Sequence, residues 1–296
     1  MDNYQKELFE KFKPFLLERN EAPYPPQHEG DYLEEYFVDN FRDNKQVNDR
    51  FFIPVHWTAV FNFKVKEGLG PGTENYSLRH QLFEEIKKLD PNKKYFTVST
   101  HDDAPMGGFP KDTKHFYAGG NSDFGTDPIP LIWSGFKSFE DPQKMMFCSF
   151  VGSVTHDVRR KMLQVLDNQQ GYLLRAYHWQ QSVPEDQQKL FKTAMEHSRF
   201  TLCPRGYGST SYRLYESMQL GSIPVYISDK LLLPWSDELN WDDFCVLVHP
   251  SNLDKLDSKL KNYTEAQVRK MQLKLQEVYP LYFTIPAAYN QIIKRL

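Results

Sequence analysis

The sequence predicts an α/β fold built on parallel sheets, and three observations carry that expectation. Short β-branched and aromatic runs alternate with longer segments of helix formers through both halves of the 296 residues. Residues 200–229 (FTLCPRGYGSTSYRLYESMQLGSIPVYISD) read as strand, tight glycine turn, helix, glycine stop and strand. Residues able to do chemistry, among them His56, His101, Asp102, Gly152, Ser153 and Arg205, fall where strand runs end, the edge at which open α/β sheets bind ligands.

Taken in order, residues 1–20 form an amphipathic helix whose stripe of Leu8, Phe9, Phe12, Phe15 and Leu16 docks on the core. Charges throughout that segment argue against a secretory signal. Residues 23–31 are a Pro-rich linker, and 51–55 are a strand that delivers His56 and Trp57 at its end. The KEGLGPGTE segment, 66–74, is a flexible loop, 78–89 a helix, and Asp90-Pro91-Asn92 a turn. Residues 95–99 are the next strand, followed by Thr100-His101-Asp102-Asp103. From Asp127 to about residue 142 the chain is rich in Pro and Gly, an interdomain crossing that divides it into 1–142 and 143–296.

In the second half, 146–151 is a strand closing on Gly152-Ser153, and 158–166 a helix bearing Arg159 and Arg160. A strand at 172–177 and a helix at 185–197 precede the 200–229 unit. A last strand at 246–248 leads to a helix over 254–279, and the C-terminal helix is free to pack back on the first domain.

A net charge of -3 with no long Lys/Arg cluster excludes a nucleic-acid partner of the usual electrostatic kind. No run approaches the roughly 18 apolar residues of a membrane span. Cys148, Cys203 and Cys245 are an odd number, far apart, and read as reduced core thiols. Aromatics at 15% are high, which means either extra core or stacking surface for sugars and bases. The Asn75-Tyr76-Ser77 and Asn262-Tyr263-Thr264 triplets are chance sequons on this reading.

A glycine turn feeding a helix N-terminus aims backbone N–H groups and the positive helix end at an anion. With the helix set at 209–220, Ser209, Arg213 and Glu216 stand at i, i+4 and i+7 on one face. A hydroxyl and a guanidinium suit phosphates and a carboxylate suits ribose hydroxyls; the bland reading is a solvated face with an Arg–Glu pair. The same segment leaves an NAD-dependent oxidoreductase open. Gly206, Gly208 and Ser211 match a dinucleotide fingerprint with its third glycine replaced, and Asp229 follows the next strand. Thr100-His101-Asp102-Asp103 invites a metal, but neighbouring side chains on a strand end point to opposite sides, so no metal site is expected.

The 200–229 unit, with Leu233-Pro234-Trp235 and Trp241-Asp242-Asp243-Phe244, resembles the exostosin-like inverting glycosyltransferases. Four upstream pieces extend the resemblance in collinear order: FCSFVGSVTHDVRR at 147–160, FGTDPIP at 124–130, YFTVSTHD at 95–102 and the Phe-Phe-x-Pro strand from Phe51. The chain departs from the family after His101-Asp102, where Asp103-Ala104 replace the usual Trp-Gly. That departure leaves open a noncatalytic glycan-binding relative. The lack of a membrane anchor, a luminal stem and paired cysteines points to a soluble microbial or viral member working in the cytoplasm, the host's if viral.

The resemblance implies a GT-B fold, two Rossmann-like domains facing across a cleft, with a glycan acceptor on the first and a UDP-sugar donor on the second. Gly152, Ser153 and one of Arg159 and Arg160 would face the pyrophosphate, joined by Arg205, Gly206, Ser209, Ser211 and Arg213. Glu216 would bind the ribose, and Tyr177 with His178 would border the base. Asp102 is the expected general base, with Asp103, His101, His56 and Asp127 as competitors. No metal or other cofactor is implied beyond the UDP-sugar itself, for which a neutral sugar is favoured and xylose is the specific guess.

Overall fold

The computed structural model of the chain describes residues 3–17, 30–42, 46–62, 73–136, 143–180 and 182–296, with backbone alone for 73–77. The linker expected at 23–31 and the loop expected at 66–74 lie outside them except for the last two residues of each, as do residues 137–142 of the expected crossing. The chain divides into one unit of Met1–Ile129 with Ala288–Leu296 and a second of Pro130–Ala287. Both are α/β, each organised on a parallel sheet.

The first unit runs α1 (Asn3–Phe12), α2 (Leu33–Phe41), β1 (Arg50–Phe52), α3 (Trp57–Asn62), α4 (Thr73–Lys87), β2 (Lys94–Ser99), β3 (Thr113–Tyr117) and β4 (Asp127–Pro128). Its sheet has the order β1-β2-β3-β4, with Phe52 beside Phe96 and Val98 beside Phe116. The expected N-terminal stripe does bury Leu8, Phe9, Phe12 and Phe15. Gln5, fully buried on the same helix, donates to Phe52 O at 2.8 Å and accepts from Phe52 N at 2.9 Å, so its amide completes the open edge of β1. The strand expected over 51–55 is only Arg50–Phe52, because the chain must turn into α3 straight after Pro54-Val55-His56.

Helix α2 has no counterpart in the sequence expectations. Phe37 and Phe41, one turn apart, stack at 5.7 Å and close on Phe52 and Phe96 at 5.0–5.9 Å. Each phenylalanine so buried contributes roughly 2–3 kcal/mol. The aromatic excess is thus largely core here.

The second unit runs β5 (Met146–Ser153), α5 (Asp157–Val165), β6 (Tyr172–Tyr177), α6 (Glu185–Glu196), β7 (Ser198–Pro204), α7 (Tyr212–Gln219), β8 (Ile223–Ile227), β9 (Val246–Val248), α8 (Leu256–Lys261), α9 (Glu265–Tyr282) and the start of α10 (Ile285–Lys294). The sheet order β6-β5-β7-β8-β9 flanks β5 and β7 with strands, and both are buried on two faces over 148–151 and 200–204. Cys148, Cys203 and Cys245 are free and buried in this core. Gly221 ends α7 with φ +69°, and Ser222 N donates to Ser217 O at 2.9 Å, a closure that only the left-handed conformation at Gly221 permits.

Two expectations are corrected. The helix set at 209–220 begins only at Tyr212, with Ser211 extended as its N-cap, because three consecutive hydroxyl residues favour loop over helix. Ser209 therefore does not share a helix face with Arg213 and Glu216. The single helix over 254–279 is instead a 3-10 turn, α8 and α9, broken at Asn262–Thr264 where Thr264 and Gln267 form a capping box. Among the described residues no helix is long and apolar enough to cross a membrane.

Candidate functional site

The second unit gathers its chemistry at the C-terminal ends of β5, β6 and β7. Arg213, in the first turn of α7, is only 7% exposed. Its Nη2 donates to Val151 O at 2.7 Å, and its guanidinium lies 4.6 Å from the Phe150 ring centre and 5.3 Å from that of Phe191. A Cβ at residue 152 would fall 2.2 Å from that Nη2, so only Gly152 admits the guanidinium to the end of β5. Nε and Nη1 of Arg213 are buried and meet no hydrogen-bond partner among the described residues. Burial pulls the guanidinium below its ordinary pKa, an effect that Cys203 and Glu216 oppose.

Ser211, immediately before α7, has N-cap backbone geometry without the cap bond, and its buried Oγ also lacks a partner. Leaving such groups unsatisfied costs about 1–3 kcal/mol each. A bound anion with several acceptor oxygens would recover that cost at the positive end of α7.

Arg159, 8% exposed on α5, works differently. Its Nε donates to Arg205 O at 3.0 Å, Nη1 to Ser153 O at 2.8 Å and Nη2 to Pro204 O at 3.4 Å. One guanidinium thereby ties the exits of β5 and β7 together, beside Gly206. Arg160 is exposed and pairs with Asp157 one turn away. Arg205 pairs with Asp229 and donates to Tyr207 O at 3.2 Å, while its Nε is buried without a partner. That pair holds Asp229 below the usual carboxylate range.

Glu216, buried on α7, accepts from Trp133 Nε1 at 3.0 Å. Gln219 exchanges two 3.0 Å hydrogen bonds with the backbone of Phe136, so one face of α7 anchors the 133–136 segment. Ser209 is buried, and its carbonyl accepts from Tyr226 Oη at 2.9 Å. Tyr177 pairs with Ser153 across the β5–β6 register, and the exposed His178 follows it. Phe150, Phe191, Trp133 and Gln219 escaped the sequence reading; only the proximity of Phe150 to Gly152 offered a signal.

In the first unit the candidate bases stand at the exits of β1 and β2 and, for Asp127, at the start of β4. His56 Nδ1 lies 2.9 Å from Leu17 O, which can only accept, so Nδ1 carries the proton and Nε2 is buried and meets no partner among the described residues. His101 is the reverse: Nδ1 accepts from Asp103 N at 3.1 Å, so the proton sits on Nε2. Burial lowers His101 to about 4. Asp103 accepts from Asn121 at 3.1 Å, Asp127 from Thr126 at 2.6 Å, and the Asp102 carbonyl from Asn121 N at 2.9 Å. Among the described residues no three His, Cys, Asp or Glu side chains form a metal-binding group.

One buried carboxylate was not foreseen at all. Glu34, in the first turn of α2, accepts from Thr58 N at 2.9 Å, Thr58 Oγ1 at 3.1 Å, Thr100 Oγ1 at 2.9 Å and Thr100 N. Burial, opposed by the Thr100 and Thr58 hydrogen bonds, raises it from 4.5 to about 7.

Two outcomes are expected from this geometry. Gly152→Ala should displace Arg213 and weaken pyrophosphate binding tenfold or more in calorimetry, while thermal unfolding shows the fold retained; unchanged affinity would remove Arg213 from the anion site. Glu34 binds its proton more tightly folded than unfolded, so its contribution to stability is full below about 4.5 and is lost as pH rises through about 7. His101 and His115, both lowered to about 4 by burial, act oppositely, adding stability as pH rises toward 6.5. Subtracting wild type from Glu34→Gln isolates the carboxylate. The variant should gain roughly 3 kcal/mol relative to wild type between pH 5 and 8 in denaturant melts, and a flat difference would refute the raised pKa.

Residues 126–263 match the family model described as the exostosin GT47 domain. A probable glucuronosyltransferase of Oryza sativa subsp. japonica is 35% identical over 109 residues, 34% of this chain and 26% of the rice protein. The probable beta-1,4-xylosyltransferase IRX10 of Arabidopsis thaliana is 38% identical over 80 residues, 27% of this chain and 19% of that protein. The matched stretch thus spans about a quarter or less of these relatives. A chain of the GtfA/B complex aligns over 88% of this chain and 59% of its own, at 13% identity and a TM-score of 0.41. The stretch similar to the exostosin GT47 domain, residues 126–263, is the one that carries Gly152, Arg159, Arg205, Arg213 and Glu216.

Proposed function

We propose that this chain is an inverting glycosyltransferase that moves a neutral sugar from a UDP-sugar to a glycan hydroxyl without a metal ion. The observation that carries the reading is Arg213: a buried guanidinium with two unsatisfied nitrogens, at a helix N-terminus, inside the GT47 stretch. The rice and Arabidopsis relatives are named for glucuronosyl and xylosyl transfer, which supports sugar transfer; of the two sugars xylose is the neutral one. The uridine nucleotide comes from the exostosin resemblance.

In this reading the second unit holds the donor. Arg213, Ser211 and the first backbone N–H groups of α7 meet the pyrophosphate, and Arg205 adds charge at its rim. Fixed donors of this kind stabilise the negative charge that grows on the leaving UDP as the glycosidic bond breaks. Glu216 bonds the ribose with its geometry set by Trp133, and Tyr177 borders the base. Arg159 holds the loops rather than the phosphates, since its donors go to three backbone carbonyls. The acceptor hydroxyl attacks the anomeric carbon in one displacement and gives its proton to a general base, with Asp102 the assigned residue and His56 its strongest competitor. His101 is a poor base, because its free lone pair already accepts from Asp103 N.

A thermal-shift panel of UDP, GDP and NAD, each with and without EDTA, tests the reading. UDP at about 100 times its dissociation constant should add roughly 2.7 kcal/mol, unaltered by EDTA, with NAD inert. Stabilisation by NAD and not UDP would replace the transferase with an oxidoreductase, and loss of the UDP shift in EDTA would overturn metal independence.

A further inference from the structure

We propose that Glu34 is the residue that positions both histidine-bearing strand exits of the first unit, keeping His56 and His101 in opposite tautomers. The inference rests on the reading above, in which those exits supply the group that activates the acceptor.

The Glu34 carboxylate takes two donors from Thr58 and two from Thr100. Thr58 opens α3, two residues after His56 and the end of the β1 exit. Thr100 is the first residue beyond β2 and precedes His101-Asp102. Three donors converge on Oε1 and Thr58 N meets Oε2, so an amide would turn a donor of its own against one of them. The two threonine hydroxyls are themselves only 3.1 Å apart, so the carboxylate draws the two exits into one cluster. No cation pairs with Glu34 among the described residues, which sets it apart from an ordinary buried ion pair.

Helix α3 carries this constraint to both rings. His56 immediately precedes it, and Val60 N donates to His56 O at 2.9 Å, so the position of α3 sets the backbone from which His56 Nδ1 reaches Leu17 O. At its other end, Phe61 lies against the His101 ring at 4.7 Å and Arg79 lies over Phe61 at 4.3 Å. Moving the N-terminus of α3 away from Thr100 therefore loosens both imidazoles together. The charged groups facing the cluster are Glu35 on α2 and, beside His101, Asp103 and Arg79.

Long-range 15N–1H spectra of the histidine-labelled full chain at pH 8 test this, with His56→Gln and His101→Gln used to assign the two rings among nine histidines. Wild type should show His56 protonated on Nδ1 and His101 on Nε2. Glu34→Gln should replace both single-tautomer patterns with mixtures, and unchanged patterns in a folded variant would overturn the proposal. Should Glu34→Gln fail to fold, the wild-type chain is titrated from pH 5 to 9. His101 stays neutral over that range, so a change of tautomer that follows one shared midpoint in both rings supports the coupling, and independent or flat behaviour overturns it. These spectra need no nucleotide, so a chain that fails to bind UDP would sink the transferase reading and leave this test intact.

Discussion

The second unit is organised around one buried cation. Arg213 is held by Val151 O and by the faces of Phe150 and Phe191, and it reaches the end of β5 only because residue 152 has no side chain. Those contacts fix the plane of the guanidinium but satisfy only part of it. A desolvated charge of this sort is costly unless something completes its hydrogen bonds. Arg213 stands at the start of a helix, where N–H groups already point outward and an anion would be favoured.

Two other buried charged groups, one in each unit, spend their hydrogen bonds on the ends of strands. Arg159 gathers the carbonyls of Ser153, Pro204 and Arg205, so the loops that flank Arg213 keep their spacing without a ligand. Glu34 does the converse in the first unit, collecting amide and hydroxyl donors where β1 and β2 end. In each unit a side chain from outside the sheet fixes the strand exits, which is what a site assembled on loops requires if it is to be preorganised.

Much of this was legible in the sequence, for identifiable reasons. The β7–α7–β8 unit declared itself through its glycine turn and Gly221, and the strands at 172–177, 223–227 and 246–248 fell where apolar runs met turn residues. Asp102, His56 and Arg205 were recognisable as polar residues at strand ends. Helices α2 and α3 were not, since each is short and borders irregular chain, and its identity comes from tertiary packing of Phe37, Phe41, Trp57 and Phe61. The division of labour between Arg159 and Arg160 was equally hidden, because adjacent arginines on a helix differ only in which face is buried. Glu34 could not have been found by spacing: its partners lie 24 and 66 residues away.

Under the proposed reading, sugar transfer from a nucleotide donor needs negative charge to be stabilised where the nucleotide departs, and that task falls to Arg213. Calorimetric titration of UDP into the Arg213→Gln variant tests it most directly. Removing a charge-assisted, desolvated contact should weaken binding about 30-fold or more, with unfolding curves showing that the variant remains folded. Wild-type affinity in that folded variant would contradict the account and move the anion site elsewhere.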